Sequence, residues 1–171
     1  MDNLSIVSDN SIAEKNNEII FSSSGKATAI SALPIPYIDI PVVAYIQMDM
    51  IEKLAENYGI DTGSKTRIML SVLFSTLSGS IATELALSIA KSTGLKTLFG
   101  NSMIKASING FVTTLVGELY VSHFRRGGNI DDLELGNIMG YISNQFKDGK
   151  YSIQALGNEF VGATMEKVGI S

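Results

Sequence analysis

The sequence predicts an all-α protein, a bundle of five to six helices around a small-residue-rich antiparallel helical hairpin. Three observations predict it. Apolar residues recur at spacings of three and four in several segments, the period of a helix face. No segment alternates with period two, and the turn pairs of β-hairpins are absent. Small residues repeat every fourth position along two long, almost uncharged stretches, which lets helix backbones approach closely. At 171 residues the chain is one domain in size, long enough for a real core.

Residues 1–25 are rich in Asn, Ser and acidic side chains and read as a mostly disordered polar tail, ahead of a single all-α domain over 26–171. The apolar knot Ile19-Ile20-Phe21 within it is suited to docking on the body or on a partner. Opening with Asp2 and lacking a basic region or a continuous apolar core, this end does not resemble a secretion signal. Gly25–Leu33 is a short helix candidate that stops at Pro34 and Pro36, which force an extended elbow. Asp39 then stands where a helix cap belongs, a role worth about 0.5–2 kcal/mol, with Pro41 in the first turn. In the helix that follows, Asp49, Glu52, Lys53 and Glu56 form a solvated stripe, and Val43, Ile46, Met50, Leu54 and Tyr58 face a core. Gln47, at the edge of that core face, is placed to hydrogen-bond across a helix crossing. Gly59 supplies the left-handed stop.

The hairpin arms are expected at residues 65–90 and 101–126. From Ile68 to Ala90 the only charge is Glu84, and the length suffices to cross a bilayer. Ser71, Ser75, Gly79 and Thr83 form one small-residue seam, and Ser78, Ala82, Ala86 and Ala90 another. Ser102, Ala106, Gly110 and Thr114 repeat the pattern in the second arm. Such a hairpin is either a soluble core pair or membrane-seated. The second arm ends in His123-Phe124-Arg125-Arg126-Gly127-Gly128, cations followed by glycines. Asp131 with Glu134 has the form of a capping box. Leu135, Ile138, Met139, Ile142 and Phe146 line the next helix, and Ser152–Val168 is the last helix candidate.

The composition excludes several chemistries. There is no Cys, which removes disulfides, thiolate metal sites and Cys nucleophiles, and the single His makes a histidine metal site a poor reading. No phosphate-cradling glycine motif occurs, and no acid/base or nucleophile constellation is evident. The expectation is therefore a non-enzyme without cofactor or metal. The net charge of −4 divides unevenly: residues 65–126 carry +5 and the remainder −9. A basic, apolar block suits an anionic membrane surface or an acidic partner. Its spaced-out cations do not make a nucleic-acid footprint.

ALPIPYIDIPVVAYIQMDMIEKLAENYGI, the small-residue hairpin after it and GELYVSHFRRGGNIDDL together resemble the YcjF-like domain of unknown function. The shared marks are the elbow Pro34, Pro36 and Asp39, the Gln47 within the helix, the Tyr58-Gly59 stop and the aromatic-basic-Gly-Gly end at Phe124–Gly128. The resemblance covers roughly Lys26–Lys150. It implies a bacterial protein of the cytoplasm or the cytoplasmic face of the inner membrane, not secreted, associated with an Era-like GTPase. It carries over no catalytic residue. This chain has no GTPase domain of its own, so nucleotide work would belong to a separate partner.

Candidate interaction residues follow from charge and position. Glu84 is a carboxylate within an uncharged run, costly unless paired or wet; Lys105 and His123 are its possible partners, and in a soluble bundle it faces solvent. Lys91, Lys96, Arg125 and Arg126 flank the arms and suit anionic headgroups. His123, the single histidine, is a candidate pH switch, against a plainer role at a helix end. Asp39 is a contact candidate beside its cap role. The leading function is a helical interaction module, membrane-associated or partnering a GTPase, with self-association of the seams as a further possibility. The alternative is a soluble helical protein holding a lipid-like ligand.

Overall fold

A computed structural model describes residues 3–33, 39–64, 66–76 and 100–147. Helix α1 spans Asn3–Ser31 and α2 spans Asp39–Asn57. Helix α3 is described over 66–76. Helix α4 runs Gly100–Arg125, a single 3-10 turn covers Ile130–Asp132, and α5 runs Leu135–Lys147. No strand occurs among the described residues. The chain is all-α, as its periodicity requires.

The N-terminal segment corrects the sequence reading. Residues 3–25, expected to be mostly disordered, form most of α1, and the short helix expected from Gly25 is its last turns. The reason lies in which residues make its inner face. Asn16, Ile20, Ser23, Ala27 and Ser31 are all buried, at helical spacings of three and four. Only one of the five is a large apolar side chain, so the stripe is invisible to a search for hydrophobic periodicity. Its stability comes from tertiary packing rather than from propensity. In the apolar knot, Ile20 enters the core while Phe21 stays 83% exposed.

Helix α1 makes its most extensive contact with α4, and the next with α2. Ile20 packs at Gly117, Ser24 meets Thr114, Thr28 lies over Gly110 and Ser31 meets Asn109. Residue numbers rise along one helix as they fall along the other, so the two are antiparallel. This is the second correction: the small-residue seam of α4 at Gly110 and Thr114 receives α1. Of the seams proposed for the first arm, Ser71 and Ser75 are exposed on α3, and the part from Ser78 to Ala90 lies outside the described residues, as do the Pro34–Pro36 elbow and the Ser152–Val168 helix.

The core face of α2 is close to that expected. Val43, Met50 and Leu54 are buried, Ile51 and Ala55 join them, and Ile46 and Tyr58 are half-buried. On its outer face Lys53 bonds Asp49 at 2.6 Å, while Glu52 turns to Arg67 at the start of α3, 2.9 Å away. Leu70, Leu73 and Phe74 bring α3 into the same core. Phe74, Tyr120, Phe124 and Tyr58 then form a chain of tilted ring contacts, with centroids 5.6–6.5 Å apart.

Two helix ends close in the same way. At α2, Ile60 N–H donates to Ala55 O and Gly59 N–H to Glu56 O; at α4, Gly128 N–H donates to His123 O and Gly127 N–H to Phe124 O. Both are Schellman stops, with Gly59 at φ 68° and Gly127 at φ 80°, conformations that favour glycine. The capping box beyond α4 is built from Asn129 and Asp132 rather than from Asp131 and Glu134. Asp131 instead accepts from Thr66 Oγ1 at 3.2 Å, tying the start of α3 to this turn. Ile138 and Ile142 of α5 complete the core.

Tyr120 is wholly buried, and its hydroxyl has no hydrogen-bond partner among the described residues. Burial, with the Asp131 carboxylate nearby, pushes its phenol above the ordinary value. Replacing Tyr120 with Phe removes an unpaired polar atom and leaves the ring contacts. The expected result is unchanged stability or a gain of up to about 1 kcal/mol, read as a rise in denaturation midpoint.

Candidate functional site

Where α1, α2 and α4 meet, the core is polar and small rather than oily. Gln47 is fully buried on α2 and donates from Nε2 to Thr113 Oγ1 on α4 at 3.0 Å. Thr113 donates to the Asn109 carbonyl one turn back, at 2.7 Å. Asn109 Nδ2 donates to Ser31 Oγ of α1, also at 2.7 Å. One turn away, the hydroxyls of Ser24 and Thr114 share a 2.8 Å bond. At the far end, Asn16 Nδ2 donates to Tyr58 Oη at 2.9 Å and Asn57 Nδ2 to Asn16 Oδ1 at 3.1 Å. Each bond links different helices except the Thr113 back-bond. Buried polar groups of this kind are costly when unpaired, so together they select one axial register of the three helices. Gln47 thus has the helix-crossing role expected of it.

Beside this seam, α1 and α4 leave an open groove. One hollow of about 510 Å³ is lined by Asn17, Glu18, Phe21, Thr114 and Glu118, among others. A second, of about 310 Å³, continues from Phe21, Ser24 and Thr114 to Thr28, Ser107 and Gly110. On the α1 side Gly25 leaves it open, since nothing stands within 4 Å of where its Cβ would be. Glu118 sits at one end, and burial raises its carboxyl above the usual carboxylate range.

The sign of that shift gives a stability test. The folded state holds the Glu118 proton more tightly than the unfolded chain does. Stability therefore falls as pH rises from the ordinary carboxylate value near 4.3 through the raised folded value, and is flat above it. Glu118→Gln is expected to stabilise the protein at pH 7 by up to about 0.5 kcal/mol, allowing for the screening of a partly exposed group. The difference from the parent should shrink below about pH 4, as followed by denaturant unfolding.

The interaction residues named from the sequence do not come together. Glu84, Lys91 and Lys96 lie outside the described residues. Asp39 is the first residue of α2 and Lys105 lies in the second turn of α4, and the side chains of both fall outside what is described. His123 approaches the Asn129 carbonyl at 3.0 Å and the Asp132 carboxylate at 3.4 Å, which gives it a place in the turn after α4. Arg125 and Arg126 are exposed, Arg126 donating from Nε to Ser122 O at 3.1 Å. With Asp131, Asp132 and Glu134 just beyond them, this end is of mixed charge. Among the described residues no group of His, Asp and Glu side chains could hold a metal, and no helix is long and apolar enough to cross a membrane.

The groove and the buried polar seam were missed because both depend on α1. A usable signal was present: Ser23, Ala27 and Ser31, and Ser24 with Thr28, follow the four-residue rule that marked the other helices.

Helices held by small residues and interhelical hydrogen bonds define a class of all-α packing domain. The chain belongs to the family described as a domain of unknown function, DUF697, whose model matches residues 6–149. This agrees with the YcjF-like resemblance and places α1 inside the domain, where the resemblance began only at Lys26. The chain is 30% identical over 129 residues to "Magnetosome membrane protein 22" of Magnetospirillum gryphiswaldense. That alignment covers 72% of this chain and 65% of the relative, so the chain spans a little under two thirds of the relative's length. No solved structure matches the chain.

Proposed function

We propose that this chain is a non-enzymatic helical packing module that works at a bacterial membrane, on its cytoplasmic face, alongside a separate GTPase. The observation that carries the reading is the 30% identity to a magnetosome membrane protein. The outer face of α3 supports it. Ile68 and Val72, one turn apart, are 68% and 64% exposed, with Ser71 and Ser75 beside them and a run to Ala90 whose one charge is Glu84 continuing in sequence. Exposed apolar side chains on such a run suit contact with a lipid surface. The basic block in which α3 lies favours anionic lipid. The GTPase rests on the resemblance alone. The described interior is filled by side chains such as Met50, Leu54, Leu115 and Tyr120, which favours packing over the holding of a lipid-like ligand.

The purified chain is expected to float with vesicles containing anionic phospholipid. The double substitution Ile68→Glu/Val72→Glu should reduce the bound fraction roughly tenfold, by loss of apolar burial and by charge repulsion. Its unfolding midpoint should be unchanged because both positions are exposed. Flotation unaffected by the double substitution, or absent in the parent chain, removes the membrane reading.

A further inference from the structure

The groove between α1 and α4 is lined by side chains of one chemical character at each end. Toward Gly110 it is small and uncharged: Ser24, Gly25, Thr28, Ser107 and Gly110, with Phe111 behind them. Toward Glu118 it carries Glu18 and Glu118 and has no basic residue in its lining. Neither carboxylate has an ion pair among the described residues. Phe21 stands on the lip where the two ends join and is 83% exposed. An aromatic side chain so placed leaves apolar area in water that a partner would cover.

We propose that this groove docks an amphipathic helix of another protein, one bearing an apolar anchor and a Lys or Arg. The anchor lies against Phe21 and over Gly25 and Thr28, and the cation sits between Glu18 and Glu118. Charge complementarity selects this occupant. Two unpaired carboxylates at the rim repel anionic lipid headgroups and attract a cation, and an apolar floor between two helices is the usual seat of a helix in a groove. Spacing makes the reading specific. Glu118 lies eight residues from Gly110 and eleven from Ser107 along α4, about 12–16 Å at the rise of a helix. Anchor and cation in the partner are therefore two to three turns apart. The raised proton affinity of Glu118 agrees, since a partly desolvated carboxylate gains from a cation. The docking site is distinct from the α3 face, so it stands whether or not the chain binds membranes.

The test uses the full chain and two fluorescent helical peptides of identical Leu pattern, one with Lys and one with Glu at the polar positions. The Lys peptide is expected to bind in fluorescence anisotropy and the Glu peptide not. Glu18→Gln/Glu118→Gln should weaken the Lys peptide about tenfold or more, and Phe21→Ala by a similar factor. Glu14→Gln, one turn outside the groove, should change binding about twofold at most. Absence of binding, equal binding of both peptides, or indifference to the Glu18/Glu118 pair overturns the proposal. Because the chain has no Cys, Ser22→Cys adds a single thiol beside Phe21 and reports the other occupants. A disulfide-linked dimer of that variant would give the groove to a second copy. Protection of the thiol by neutral phosphatidylcholine vesicles would give it to lipid. Either result sinks the helix-docking reading.

Discussion

Deleting residues 1–25 is expected to abolish the cooperative unfolding transition. By composition this segment is dispensable, yet it supplies Asn16, Ile20 and Ser23, all buried, and the Ser24 side of the α1–α4 contact. Without it Gly110 loses its Thr28 and Ser24 neighbours, Gly117 keeps only Met50 of α2 on a face that Ile20 shared, and Asn57 and Tyr58 lose Asn16. The deletion removes one of three mutually packed helices, so the remainder is expected to keep helical circular dichroism while losing a sharp midpoint. A point variant gives a graded form of the same result. Ile20→Ala should cost about 2–4 kcal/mol as a large-to-small core change, whereas Phe21→Ala should leave stability within about 0.5 kcal/mol. A truncated chain that melts as sharply as the parent, at the same temperature, would show that α1 is peripheral.

Gly110→Leu is expected to cost roughly 3 kcal/mol or more, the upper range for overpacking a close helix contact. Any Cβ at this position collides with the Thr28 hydroxyl and stands 3.3 Å from the Ser24 carbonyl. Thr28 can turn away, but it then gives up its 2.9 Å bond to Ser24 O, and the carbonyl itself cannot move without shifting α1. A leucine would separate the helices and stretch the Ser24–Thr114 and Asn109–Ser31 bonds together. Gly110→Ala should cost less, about 1–2 kcal/mol, because helix propensity offsets part of the clash. Chemical denaturation of both variants measures the difference. At Gly136, where an added Cβ meets nothing within 4 Å, an alanine should be neutral or slightly stabilising.

These two results bear on how far the sequence could be read. The helix from Asp39, its Gly59 stop, the second arm with its Gly127 stop and the helix from Leu135 were all legible. The first and last of these helices are written in large apolar residues at helical spacing, and the second arm in small residues every fourth position with cations and glycines at its end. Gln47 was legible too, because an amide at the edge of an apolar stripe has few places to go. Helix α1 was not, since its inner stripe is mostly Asn, Ser and Ala and its one bulky knot divides between core and solvent. The capping box was displaced to Asn129 and Asp132 for a local reason. After the Gly127 stop the chain needs a residue whose side chain accepts from the next backbone amide, and Asn129 stands there first.

The candidate site shows the same division. Charge and position singled out His123, Arg125 and Arg126, and those three share a chain turn with Asp132 and Asn129. Glu18 and Glu118 are exposed carboxylates exactly one hundred positions apart in sequence, with nothing local to relate them. Only the antiparallel meeting of α1 and α4 puts both on one groove.

By itself, then, the sequence determined the helical class, the positions of most helices and their stops, and the lack of thiol chemistry. Those are local matters of periodicity, capping and composition. The tertiary structure decided which helices share a face, because small residues carry no preference for one partner over another. Gly110 and Thr114 would suit any close neighbour. It is Ser24 and Ser31, bonded to Thr114 and Asn109, that make α1 the helix they receive.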